Sequence, residues 1–166
     1  MKTIVLSALA IFALTLNSNA QTTTASAPQT VTLNLQNQID IAVSGTPSGL
    51  SFAFNSPDNY TNGLENLSAS SFQVRSNKGY VVSVKAATAD FSSSAATTMP
   101  ASVLGVRINA TGNSGTYAQL STTAASLLTG QTRGTNTFTV DYKATPGFNY
   151  DAGAYTLSVV YTATQQ

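Results

Sequence analysis

The sequence predicts an all-β protein, an antiparallel sandwich of about seven to nine strands. Three observations carry this. Apolar side chains recur at every second position in run after run, as in Val31, Leu33, Leu35, Ile39, Ile41 and Val43, which is the period of a half-buried strand. Gly, Pro, Asn and Ser clusters separate the runs. No window carries the 3.6-residue apolar stripe of a long amphipathic helix.

The elements follow in order. Lys2, the apolar run Ile4 to Leu16 and the small-x-small pattern Ser18-Asn19-Ala20 read as a secretory signal peptide over residues 1–20, cut before Gln21. Its apolar run is too short to span a bilayer. Residues 21–29, QTTTASAPQ, read as a flexible arm, and residues 30–166 as the sandwich domain. In the first alternating run Asn37 falls on the apolar face, so the run bends or splits there. Gly45-Thr-Pro-Ser-Gly49 ends it. Leu50, Phe52 and Phe54 predict a short second strand, and Asn55 to Gly63 predicts a loop. Phe72 and Val74, then Tyr80, Val82 and Val84, flank Ser76-Asn77-Lys78-Gly79 and predict a β-hairpin. Ser92 to Thr98 reads as a small polar loop closed by Pro100. Val103 to Asn109 predicts a strand, and Asn109 to Gly115 a flexible loop. Tyr117 to Leu128 admits a helical turn or a short strand at Ala118 to Ser121. Gly130 to Gly134 reads as a turn. Phe138, Val140, Tyr142 and Ala144 predict the penultimate strand, broken by Pro146-Gly147. Tyr155, Leu157, Val159, Tyr161 and Ala163 share one face of the last.

Composition narrows the function classes. The chain has seven Lys and Arg against six Asp and Glu, so removal of Lys2 with the signal peptide leaves a formally neutral protein. Such a chain has no basic patch for phosphates, and nucleic acid is not expected as a partner. Charged residues make up only 8%. A surface kept soluble by Ser, Thr, Asn and Gln repels its own copies weakly and tolerates self-association. With Cys at zero, neither a disulfide nor a thioether-linked lipid can form, and an exported domain of this size without Cys points to a bacterial source. Asn59-Tyr-Thr, Asn66-Leu-Ser and Asn109-Ala-Thr would accept glycans only in a eukaryote. No later segment is apolar enough to cross a membrane, so the expected location is the periplasm, cell surface or extracellular space.

The absence of His, Cys and Trp removes Ser-His-Asp and Cys-His nucleophiles, most zinc sites and thiol chemistry. A pair of carboxylates could serve a glycosidase. Yet Asp40 and Asp141 sit mid-strand on the polar face, and Asp58, Glu65, Asp90 and Asp151 lie in turn-like contexts, where a carboxylate caps backbone N–H groups. Asp58, Asn59 and Asp151 could offer oxygens to calcium, but capping is the simpler use. The expectation is a non-enzymatic protein with no cofactor or metal. Tyr60, Tyr117, Phe148 and Tyr150 fall in loops or at strand ends. They form a candidate ligand face on which a sugar could stack, or else rings that cover strand ends with their hydroxyls in water.

Asp151-x-Gly153-x-Tyr155-x-Leu157 resembles the tyrosine corner of immunoglobulin-like sandwiches, with Leu157 where antibody-type domains place Cys. A Gly turn before an ordinary amphipathic strand would read the same way. On the corner reading one more strand should follow, yet the chain given ends about ten residues later, and Val31–Val43 is the candidate to take the vacant place.

The end, Pro146-Gly-Phe-Asn-Tyr-Asp-Ala-Gly153-Ala-Tyr155-Thr-Leu-Ser-Val-Val-Tyr161-Thr, resembles the C-termini of spore-coat-U-like and chaperone–usher pilin-like proteins. The middle, with Phe52-Ala-Phe54, Asp58-Asn-Tyr60, Val74-x-Ser76-Asn77 and Tyr80-Val-Val-Ser-Val84, is similar to small exported proteins of Bacteroidota. The pilin-like resemblance implies an immunoglobulin-like sandwich completed by a donated strand and assembled into surface fibres. The disulfide common in pilins is missing, and the polar arm before Val31 has no alternation of its own.

The leading expectation is therefore a fibre subunit or adhesin working by strand complementation. Val31, Leu33, Leu35, Ile39 and Ile41 would fill a groove beside Tyr155, Leu157, Val159 and Tyr161, within one molecule or between two. Partners would be further copies or another surface protein. The alternative is a stand-alone glycan- or protein-binding module.

Overall fold

A computed structural model of the chain describes residues 23–44, 49–109 and 115–166. Residues 1–22, among them the expected signal peptide, lie outside these, as do most of Gly45–Gly49 and most of the Asn109–Gly115 loop. The chain divides into two units, Met1–Asn34 and Leu35–Gln166. In the first, residues 23–34 carry no helix or strand and are exposed.

The second unit is an antiparallel β-sandwich with ten strands among the described residues. One sheet holds β1 (Ile39–Ser44), β2 (Leu64–Ser76), β8 (Gly134–Ala144), β5 (Leu104–Asn109) and β6 (Ala118–Gln119), in that order. The other holds β10 (Val159–Gln165), β3 (Tyr80–Ala86) and β7 (Ala125–Gln131). A small ladder joins β4 (Ser92–Ser93) to β9 (Tyr155–Thr156). Alternation explains the layers. Phe72 and Val74 of β2, Val82, Val84 and Ala86 of β3, and Val140, Tyr142 and Ala144 of β8 all turn inward and are buried. Val106, Leu104, Ala101 and Leu120 complete the main cluster. Such burial is the dominant favourable term in folding.

Four local expectations are corrected. The predicted hairpin at Ser76–Gly79 is an arch: β2 pairs with β1 and β8, β3 with β10 and β7, and the turn crosses from one sheet to the other. Val74 and Tyr80 thus meet face to face in one core cluster rather than edge to edge. Both arrangements satisfy the same alternation, and burying both apolar faces against each other decides between them. Leu50, Phe52 and Phe54 are extended and half-buried in alternation, but no ladder forms there among the described residues. Pro57–Asn62, expected as loop, is a short helix, α1, capped by Ser56 and stopped at Gly63 with φ 75°. The Ser92–Thr98 loop contributes β4.

Asn37 marks a break, since the ladder begins only at Ile39. Tyr117–Leu128 forms β6 and the start of β7, with no helix. The last strand is split: Tyr155–Thr156 pairs with β4, and Val159–Gln165 pairs with β3.

One polar site lies inside the first sheet. Asp141, placed by alternation on the polar face, is 1% exposed. Between Asn66 and Ser70 the register of β2 slips against β8, and Ser68 takes φ 52°. The freed Ser68 N–H donates to Asp141 Oδ1 at 2.8 Å, Asn109 Nδ2 to the same oxygen at 2.8 Å, and Arg107 Nε to Oδ2 at 3.0 Å. Burial raises the Asp141 carboxyl, but these three donors outweigh it and hold its pKa below the usual carboxylate range. The bond to Asp141 raises Arg107 in turn, and its guanidinium lies 4.3 Å from the centre of the Tyr117 ring.

Candidate functional site

The seam between β1 and β10 is the most unusual feature of the sandwich. Each of these strands ends its sheet, and among the described residues each carries a ladder on one side only. An edge of this kind presents unpaired N–H and C=O groups to any strand that can reach it.

A latch closes one end of the seam. Gln165 Nε2 of β10 donates to Gln38 O at 2.8 Å, to Ser76 Oγ at 3.0 Å and to Asn77 Oδ1 at 3.1 Å. Asn77 grips the chain entering β1. Its Nδ2 donates to Gln36 O at 2.7 Å, its Oδ1 accepts from Gln38 N at 2.9 Å, and its own N–H donates to Gln38 O at 3.2 Å. One side chain thereby imitates a neighbouring strand and holds Gln36–Gln38 extended.

Away from the latch, Ile41, Val43, Phe72, Tyr142, Val159 and Tyr161 line an apolar groove of about 400 Å³. Val43 and Val160 are exposed there. The Phe72 and Tyr161 rings lie 4.2 Å apart, and the Tyr142 and Tyr161 hydroxyls share a 2.6 Å hydrogen bond. Burial first, then the neighbouring Tyr142, pushes the Tyr161 hydroxyl far above the ordinary tyrosine range.

The expected complementation residues separate into three groups. Ile39 and Ile41 belong to β1 and pair in the same molecule with Ser76 and Val74 of β2. Val31, Leu33 and Leu35 are 73%, 78% and 77% exposed and lie outside any strand. Leu157, Val159 and Tyr161 pack against the main core, with Val159 and Tyr161 in the groove wall. Tyr155 instead forms the corner. Its Oη donates to Asp151 O at 3.0 Å and lies 3.1 Å from Thr97 Oγ1, while the Asp151 N–H donates to Thr97 Oγ1 at 2.7 Å.

The expected aromatic face is brought together in part. Tyr60 stacks on Phe148, with centroids 5.0 Å apart and planes at 20°, and Phe54 meets Tyr60 at 5.3 Å. Tyr60 and Tyr150 line one cavity. Tyr117 lies elsewhere, beside Arg107. Asn59 Nδ2 is bound to Asn55 Oδ1 at 2.9 Å, and no three His, Cys, Asp or Glu side chains gather as a ligand set among the described residues. No described helix is long and apolar enough to cross a membrane.

The Gln165 latch and Asn77 clamp went unforeseen, because an Asn in a turn and a Gln at a strand end carry no distinguishing pattern. The Asp141 network carried no distinguishing signal, because Asp141 shares the polar face of its strand with Thr139 and Lys143. In comparisons with known proteins, no family model and no curated protein matches the chain.

Proposed function

We propose that this protein is a non-enzymatic, exported surface subunit that assembles by strand donation, with Val31–Leu35 of one copy adding to the open edge of β10 in the next. The observation that carries the reading is the co-occurrence of an exposed, unpaired, alternating apolar segment and an apolar groove bounded by two open strand edges. A five-residue segment extends about 17 Å, within the roughly 23 Å of a seven-residue edge strand such as β10. Main-chain hydrogen bonds would supply affinity, and Val31, Leu33 and Leu35 would set register.

The clamp favours donation between molecules. The chain enters β1 at the latched end of the seam, so laying Val31–Leu35 along its own β10 requires a reversal at Gln36–Gln38. That reversal breaks the three Asn77 bonds. Donation to a neighbour leaves them intact. A head-to-tail contact of this kind grows into a filament wherever its rotation does not close a ring. Ile39 and Ile41, already paired with β2, take no part in the donated segment.

The test uses the exported chain, Gln21–Gln166, followed by size-exclusion chromatography and electron microscopy. Concentration-dependent oligomers or fibres are expected, and they should be abolished by Leu33→Asp with the fold retained. A monomer at high concentration whose stability is unchanged by deleting residues 21–35 would overturn the reading.

A stand-alone binding module is the second reading, favoured by one observation. Phe148 is 68% exposed and held flat against Tyr60, a platform suited to stacking on a sugar face. Retention on a polysaccharide column that Phe148→Ala abolishes would support it.

A further inference from the structure

A second void lies toward the end of the sandwich where Phe54, Tyr60 and Tyr150 converge. It measures about 850 Å³ and adjoins the seam groove through Val43, Ser70, Tyr142 and Val159. Protein interiors hold few voids larger than a water molecule, whereas pockets for small ligands run to about 300–1,000 Å³. This void is in the second class.

Its lining defines what it would accept. Phe52, Phe54, Phe91, Met99, Leu104 and Leu157 contribute apolar and aromatic wall. The lining also carries Ser51, Ser70, Tyr150 and Thr156 and opens to solvent, so an apolar molecule would gain by displacing water from the apolar part of the wall. Asp151 is the one charged residue in the lining, and neither Lys nor Arg occurs there among the described residues. An anionic headgroup, such as a fatty-acid carboxylate, would have no cation to meet and one carboxylate to repel it.

The entrance also differs from a sealed core. Leu50, Phe52 and Phe54 line the cavity from a segment that carries no ladder among the described residues, with Asn59 Nδ2 donating to Ala53 O at 3.4 Å. A segment lacking ladder hydrogen bonds opens at lower cost than a paired strand. Ala152 and Ala154 are exposed and also border the void, so the opening is framed by small side chains.

We propose that this cavity is a binding site for a neutral, apolar small molecule, admitted past the Leu50–Phe54 segment. The site does not depend on strand donation or on sugar stacking.

The probe for the test is N-phenyl-1-naphthylamine, a neutral aromatic amine whose fluorescence rises in apolar surroundings. Titration into the exported chain should give saturable, one-to-one binding. Ala154→Trp, an exposed change that narrows the opening, should weaken binding at least tenfold with an unchanged circular dichroism spectrum. Phe52→Ala tests the wall itself and should alter affinity without abolishing the fold. Neutral long-chain alcohols should displace the probe, and fatty-acid anions of equal length should do so less well. Deleting residues 21–35 should leave binding intact even if it abolishes assembly. Non-saturable fluorescence, indifference to Ala154→Trp, equal competition by the anions, or loss of binding with residues 21–35 would each overturn the proposal.

Discussion

The side-chain amide of Gln165 donates to the carbonyl of Gln38 at 2.8 Å, tying the end of β10 to the entry of β1 where no ladder joins them. The same amide also reaches Ser76 Oγ and Asn77 Oδ1. Replacing Gln165 with Ala should cost about 1 kcal/mol, the net worth of such bonds. Hydrogen exchange should accelerate along β10 more than along β8, since the latch holds one edge and leaves the sheet interiors alone. Uniform acceleration across both sheets would show that the latch supports the whole fold.

The tyrosine corner gives a sharper number. Tyr155 Oη donates to Asp151 O across four residues, so Tyr155→Phe removes one hydroxyl and little packing. About 1 kcal/mol should be lost in urea unfolding. Tyr80→Phe makes the opposite case. Tyr80 is fully buried and its hydroxyl has no hydrogen-bond partner among the described residues. Removing a desolvated, unpaired hydroxyl should leave stability unchanged or raise it.

Asp141 sets an acid limit. Its folded pKa lies below its unfolded value of about 3.9. Its contribution is therefore complete above that value and is lost as pH falls from about 4 through the lower folded pKa. Asp141→Ala should cost about 1–3 kcal/mol at pH 7, because it leaves the Ser68 N–H without its acceptor and removes one bond each from Asn109 and Arg107. The gap between wild type and variant should narrow as unfolding is measured at successively lower pH.

Tyr161 sets an alkaline limit. Its raised pKa keeps it neutral in the fold, while the unfolded side chain ionises near pH 10. Stability from this residue is complete below about pH 10 and declines above it. In a spectrophotometric titration, part of the tyrosine signal should appear only as the protein unfolds, and Tyr161→Phe should reduce that part.

Much of the fold was legible in the sequence because a strand's two faces follow from local alternation. Val82, Val84, Val140 and Tyr142 point inward as their spacing requires. The corner was legible too, since Asp151, Gly153 and Tyr155 lie within five residues and their bond is local. The candidate site was legible only as separate parts. Val31–Leu35 and Val159–Tyr161 were visible as apolar runs, but the open edges that give them meaning depend on which strands pair.

By itself the sequence determined which residues are apolar and their period, and hence an all-β sandwich. Only the tertiary structure decided that Ser76–Gly79 is an arch, that β1 pairs with β2 rather than β10, and that Asn77 and Gln165 latch the seam. The physical reason is that alternation specifies a face and leaves the partner open. Partner choice comes from long-range burial, where Val74 and Tyr80 gain more by packing between sheets than by pairing within one.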